Sequence, residues 1–181
     1  MRKIIILALC VFVCLAVVAC GETKEEPKTN NEGTQTTESA GGTAFDQKYV
    51  SGETYDGWKF NPDPKNDIFA SIVSPMANKY IMMKFVWQNS TDAKTQTENF
   101  VKDFAEMKPT APEQVTYGEN QYWKTVYENG GYVNHQLMTQ KGDILITVTL
   151  QGDGVENDPT VPKILETLKF KDVKLEDLSK P

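Results

Sequence analysis

Few side chains in this 181-residue sequence could do covalent chemistry. His135 is the only histidine, and all three cysteines lie within the first 20 residues. A histidine triad or metal cluster would have to be built around His135 alone. Its shared parity with Val133 and Leu137 marks it instead as a partly buried strand histidine bonded to a neighbour. No Gly-x-Ser-x-Gly elbow or Walker loop occurs, and Gly152-Asp153-Gly154 lacks the third glycine and the helix of a dinucleotide fingerprint. Asp153, Glu156 and Asp158 place three carboxylates close together, a spacing from which a loop could wrap a calcium ion, and Asp63 with Asp67 is a thinner version. The full EF-hand series is missing and Asp158 reads better as a helix cap, so neither metal nor cofactor is expected.

The most specific signal lies at the amino end. Met1-Arg2-Lys3 puts two cations before Ile4 to Cys20, a run without charge, proline or glycine that reads as an export signal. A membrane-spanning helix needs roughly 20 apolar residues, and this run is shorter. It ends in Val17-Val18-Ala19-Cys20, which resembles the bacterial lipobox: small residues ahead of a cysteine that is lipidated and becomes the new amino terminus. A thiolate can accept a diacylglyceryl group, Ala19 fits beside the scissile bond, and two or more acyl chains anchor stably where one would not. Residues 1–19 are thus expected to be a signal peptide and Cys20 the lipidation site. Cys10 and Cys14 fit the pattern less well. A mature chain keeping only Cys20 has no disulfide, zinc cluster or cysteine nucleophile in its folded part.

Charge narrows the partners. The chain carries 19 basic and 25 acidic residues, and Arg2 is its sole arginine. Without Arg2 and Lys3, 17 lysines face 25 acids, a net of −8. Guanidinium clamps on phosphate or carboxylate are therefore lacking, and an acidic surface argues against nucleic acid and against electrostatic attraction to anionic lipid. Contact with the bilayer would come through the acyl chains on Cys20, at the extracytoplasmic side of the cell membrane.

The elements that must position everything else begin later. Residues 20–44 hold no large apolar side chain after the cysteine and read as a disordered tether. Residues 45–181 are long enough for one packed core. Tyr122 to Glu128, Tyr132 to Gln140 and Asp143 to Gln151, joined at Asn129-Gly130 and Lys141-Gly142, form a three-stranded antiparallel meander. Ile144, Ile146, Val148 and Leu150 share one face, as do Ile81, Met83, Phe85 and Trp87, yet the opposite faces are apolar too, so both need covering. Further strands are expected at Trp58 to Phe60, Ile68 to Ser74 and Gln114 to Tyr117, with a turn at Asn61 to Pro64. One covering helix runs from about Thr91 to Met107, with Thr95 and Glu98 as a capping box and Thr97, Phe100, Val101, Phe104 and Ala105 inward. A second starts at Asp158-Pro159 and turns Val161, Ile164, Leu165 and Leu168 to one side.

The expected class is α+β, an antiparallel sheet with a C-terminal meander covered by two main helices. From Tyr55 to Phe170 this order, with the Phe100-Val101 helix and the closing Ile164-Leu165-Glu166-Thr167-Leu168-Lys169-Phe170, resembles the PsbP-like α/β/α sandwich found in Mog proteins and in DcrB-type envelope lipoproteins. The resemblance implies a non-enzymatic binding or accessory module of the cell envelope. Its partner would be an envelope protein or small ligand, with amphipathic rings such as Trp58 and Tyr132 as candidate contacts; Tyr80 and Tyr122, also of outward parity, are expected under the helices. Two other functions compete. One is carriage of a small apolar ligand against Met82, Met83 and Met138. The other is a carboxylate-dependent envelope hydrolase, since 20 of the 25 acids lie from Phe45 onward.

Overall fold

The computed structural model describes residues 38–39, 41–87, 91–172 and 174. The signal run, Cys20 and most of the tether lie outside these residues. Eleven strands and two helices follow in chain order: β1 (Glu38–Ser39), β2 (Gly42–Asp46), β3 (Val50–Thr54), β4 (Lys59–Pro62), β5 (Phe69–Val73), β6 (Lys79–Trp87), α1 (Ala93–Asp103), β7 (Glu113–Tyr117), β8 (Asn120–Asn129), β9 (Tyr132–Lys141), β10 (Ile144–Gly152), α2 (Thr160–Thr167) and β11 (Lys169–Phe170). They form a seven-stranded antiparallel sheet in the order β4-β5-β6-β10-β9-β8-β7, and a small sheet in the order β1-β2-β3-β11.

The expected meander forms and is extended by β7. In β10 the two-residue period sends Ile144, Ile146, Val148 and Leu150 to one face, where they meet Ile81, Met83 and Phe85 of β6 and Leu137 of β9. Val161, Ile164 and Leu165 of α2 close this core, together with Phe45, Val50 and Phe170 from the small sheet and Tyr49 from its β2–β3 loop. At about 1.5–3 kcal/mol for each large side chain fully buried, this layer supplies most of the driving force for folding. The opposite face carries a smaller cluster in which Ala93 and Phe100 of α1 meet Trp123, Met138 and Leu145. Helix α1 contacts β8 and β9, so its cover is confined to the β7 side of the sheet.

Several sequence expectations are corrected. The tether ends earlier than residue 44, since β1 and β2 pair Glu38 with Thr43 and Ser39 with Gly42. Helix α1 is capped by Asp92, whose carboxylate accepts the Thr95 amide at 2.9 Å, and that bond holds its pKa below the usual carboxylate range. Thr95 thus occupies the third helical position and Glu98 pairs with Lys94 at 3.7 Å. The helix tightens into a 3₁₀ turn after Asp103, leaving Phe104 and Ala105 exposed. Asp158 precedes α2 by one more residue than expected, yet its side chain still accepts the Thr160 amide at 3.0 Å. Tyr122 is buried, as expected, but in the main core rather than under a helix on the outward face. The strand through Trp58 to Phe60 continues to Pro62 and pairs with β5 where a turn was expected.

Close approaches fix where elements end. Gly152 has φ +124°, and a Cβ there would collide with the Asn78 carbonyl and the Lys79 Cα. Gly41 has a similar φ of +135°, but a Cβ there would meet open space. Gly152→Ala is therefore expected to cost about 1–3 kcal/mol more than Gly41→Ala in urea unfolding, the excess measuring collision rather than backbone strain. Equal losses would remove the steric explanation. His135 supplies a pH counterpart. Burial, and then the Lys124 ammonium, hold its imidazole below the usual 6.5. Protonation therefore favours the unfolded chain, and this contribution to stability is complete above pH 6.5 and declines as pH falls through the depressed native value. Between pH 7 and pH 5, wild type should lose more unfolding free energy than His135→Gln; parallel curves would refute the assignment.

Candidate binding groove

The two sheets meet along a groove of about 340 Å³ lined by Thr43, Ala44 and Phe45 of β2, Thr54 of β3, Gly57 and Trp58 of the connecting loop, and Lys59, Phe60 and Asn61 of β4. Its aromatic wall is built by the stacking of Phe45 on Phe60, with centroids 4.1 Å apart and planes 11° from parallel. Trp58, only 4% exposed, underlies it. A shallower polar depression of about 330 Å³ continues the groove past Gly41, Gly42, Tyr55 and Asp56, sharing Thr43, Thr54, Gly57 and Trp58 with it.

Local chemistry holds these walls in place. Thr54 donates its hydroxyl to the Thr43 carbonyl at 3.4 Å across the β2–β3 pair. Tyr55 donates to the Glu53 carboxylate at 2.6 Å, and this bond, reinforced by burial, pushes the phenol up to about 12, so it remains a donor at every physiological pH. Gly42 admits the Tyr55 ring beside it; a Cβ there would lie 2.7 Å from Tyr55 Cε1. Asp56 adopts a left-handed turn and accepts the Thr160 hydroxyl at 2.8 Å, tying the loop to α2.

Backbone at the groove is also open to pairing. Strand β4 ends the seven-stranded sheet and, among the described residues, pairs only with β5. Strand β2 pairs with β1 at Gly42 and Thr43, and among the described residues no strand flanks Ala44 to Asp46 on that side. Unpaired edges are templates for a further strand, and natural edges are restricted by charged side chains and proline. Here exposed Lys59 and Pro62 bracket β4 and leave Phe60-Asn61 as its accessible centre.

The residues singled out by sequence fall in different places. Trp58 lines the groove as a buried platform, whereas Tyr132 is 56% exposed at the tip of the β8–β9 hairpin. Asp153, Glu156 and Asp158 do not converge: Asp158 bonds Lys79 at 2.8 Å and Glu156 accepts from Asn157 at 2.9 Å. Among the described residues no three His, Cys, Asp or Glu side chains form a metal cluster. Partial burial works against ionising Asp158, but Lys79 and the Thr160 amide prevail and hold it below the usual range. Asp67 pairs with Lys48 at 3.1 Å, and Asp63 caps the Lys65 amide. His135 Nε2 stands 3.8 Å from the Glu156 carboxylate, too far for a hydrogen bond. Met83 and Met138 lie in the two separate cores and Met82 is half-buried outside both, so they line no common cavity. Sequence reading missed Thr43, Phe45, Thr54, Phe60 and Asn61; Phe45, a lone aromatic after a long polar stretch, was the available sign.

Comparison with protein-family models and with curated proteins returns no match. Among solved structures, the chain is similar to cyanobacterial PsbP from Synechocystis sp. PCC 6803, with a TM-score of 0.50 and 10% identity over 80% of this chain and 98% of that one. A Bacteroides thetaiotaomicron protein matches with a TM-score of 0.44 and 14% identity over 67% of this chain, which spans only 45% of that protein. LpqN, involved in cell envelope biogenesis of Mycobacterium tuberculosis, matches with a TM-score of 0.40 and 14% identity over 67% of this chain and 82% of that one. The first of these likenesses gives the architecture: the chain has the PsbP-like α+β fold.

Proposed function

We propose that this protein is a lipid-anchored accessory module on the extracytoplasmic side of a bacterial cell membrane, held by acylated Cys20, whose groove receives an extended segment of a partner polypeptide. It performs no covalent chemistry. The observation that carries the reading is the groove itself: the free edge of β4 runs beside an apolar wall of Phe45, Phe60 and Trp58. Main-chain bonds to an edge supply affinity, and a side chain seated on the aromatic wall supplies selectivity. Lys59 and Pro62 limit the pairing to a short stretch, which suits a transient contact. The lipobox residues Val17 to Cys20 support the anchor, and the scarcity of nucleophiles supports the absence of catalysis.

Two measurements test the two halves of this reading. Cells fed labelled palmitate should incorporate it into the wild-type protein and not into Cys20→Ala; label retained by the variant, or missing from both, refutes the anchor. A photo-crosslinking amino acid at exposed Lys59 should capture a discrete protein identifiable by mass spectrometry. Ala44→Trp, which puts a large ring at a half-buried position of the groove wall, should reduce that adduct about tenfold, equivalent to roughly 1.4 kcal/mol of lost affinity, with an unchanged urea midpoint as the control for folding. A lipid or other small adduct, or a protein adduct indifferent to Ala44→Trp, would replace the polypeptide with another occupant.

A further inference from the structure

The register between β1 and β2 fixes the direction in which the chain approaches β1. Glu38 lies opposite Thr43 and Ser39 opposite Gly42, so each step back along the chain is a step forward along β2. Carried on, the same antiparallel register sets Thr37 opposite Ala44, Thr36 opposite Phe45 and Gln35 opposite Asp46, the last residue of β2. At about 3.4 Å per residue these three positions correspond to roughly 10 Å of strand. Glu38 and Ser39 already set direction and register, so pairing of the next residues requires no loop to be closed.

That path leads into the groove. Thr43, Ala44 and Phe45 contribute one wall, and Lys59, Phe60 and Asn61 contribute the other. Directly opposed residues of an antiparallel pair share a face, which assigns position 36 to the face on which Phe45 stacks against Phe60 at 4.1 Å. A strand continued there covers the part of β2 from Ala44 to Asp46 that β1 does not reach, beside the free edge of β4. Covering an edge with a segment of the same chain is one of the ways proteins protect it.

The composition of this stretch suits an edge strand and differs from what precedes it. Gly33-Thr34-Gln35-Thr36-Thr37 has neither charge nor proline, and three of its five residues are β-branched threonines. Glu22 to Lys28, by contrast, holds five charged residues and Pro27. Threonine favours extended pairing, whereas charge and proline discourage it. The segment is a weak ligand even so, because it has no large apolar side chain to seat on the aromatic wall. Its advantage is continuity with β1, which holds it at an effective concentration of the order of millimolar. A partner strand that does carry such a side chain can displace it.

We infer that residues 35–37 extend β1 along β2 into the groove and occupy it until a partner segment displaces them. This occupancy regulates the polypeptide-binding groove proposed above and rests on that reading. The test uses the lipidated full-length protein with a photo-crosslinking amino acid at Lys59, so that one probe reports both occupants. Irradiation of purified protein should give a link at monomer mass, mapped by mass spectrometry to residues 34–37. Gln35→Pro combined with Thr36→Pro removes two consecutive amides, one of which faces β2 in either phase of the ladder, and leaves β1 itself intact. The double variant should lower the internal link at least fivefold and, in cells, raise the adduct with the partner protein several-fold. No internal link in the wild-type protein, or one unchanged in the double variant, overturns the occupancy, while a partner adduct in cells still upholds the groove as a binding site. An internal link without a partner adduct from either form overturns the partner, and with it the regulation. A link at dimer mass makes a second copy the occupant and overturns the assignment to residues 35–37.

Discussion

A sheet whose central strands are apolar on both faces must be covered twice, and the architecture follows from how that demand is met. Strand β10 buries Ile144, Ile146, Val148 and Leu150 on one side and Leu145 on the other. A single eight-residue helix, α2, is too small to cover the first side of a seven-stranded sheet. The small sheet supplies the rest through Phe45, Tyr49, Val50 and Phe170. The groove is a by-product of this solution, because a second sheet brought against the first leaves a seam at the β4 edge, where Phe45 stacks on Phe60.

Polar chemistry is used mainly to hold elements in register. Lys79 joins the start of β6 to Asp158 at the start of α2, and Lys124 of β8 meets Glu113 of β7 at 2.8 Å. Thr160 and Asp56 connect α2 to the loop beneath the groove, and Asn120 donates to the Leu168 carbonyl at 2.7 Å. Three of the acids that sequence spacing offers as cation ligands, Asp63, Asp67 and Asp158, are engaged as caps or ion-pair partners. A lone lysine–carboxylate pair at a surface contributes little energy, but one bridging two elements fixes their relative placement. Along the groove, aromatic surface and the backbone of β4 stay open, and no arginine occurs among the described residues.

Legibility in the sequence tracks the range of the interactions. The β8–β9–β10 meander was readable because each strand is long, each turn carries glycine, and each partner is the next element in the chain. Helix α2 was readable from Asp158-Pro159 and one apolar stripe. The small sheet was not: β3 reads Val50-Ser51-Gly52-Glu53-Thr54, and its outer partner, Lys169-Phe170, pairs with Ser51 and Val50 from the far end of the chain. Nothing local marks such short, polar strands, whose stability comes from the core beneath them. The groove inherits the same opacity, since its walls are Phe45 and Phe60 from separate sheets.

A two-residue period states which side chains share a face and leaves open which face is wet. Tyr122 and Tyr132 illustrate the difference. Tyr122 lies where β8 crosses beneath the closing elements; it stands edge-on to Tyr117 and Phe170 at 6.1 and 6.4 Å, and burial pushes its phenol well above the usual range. Tyr132, on the next strand, lies past the point where β10 ends, so no neighbour can cover it. Val133 carries the same lesson further: it shares parity with the fully buried Leu137, yet it is exposed because the hairpin outruns the layers on both sides. Exposure at a strand end is therefore set by the length of the neighbouring strands, a quantity that no alternation pattern within the strand itself can carry.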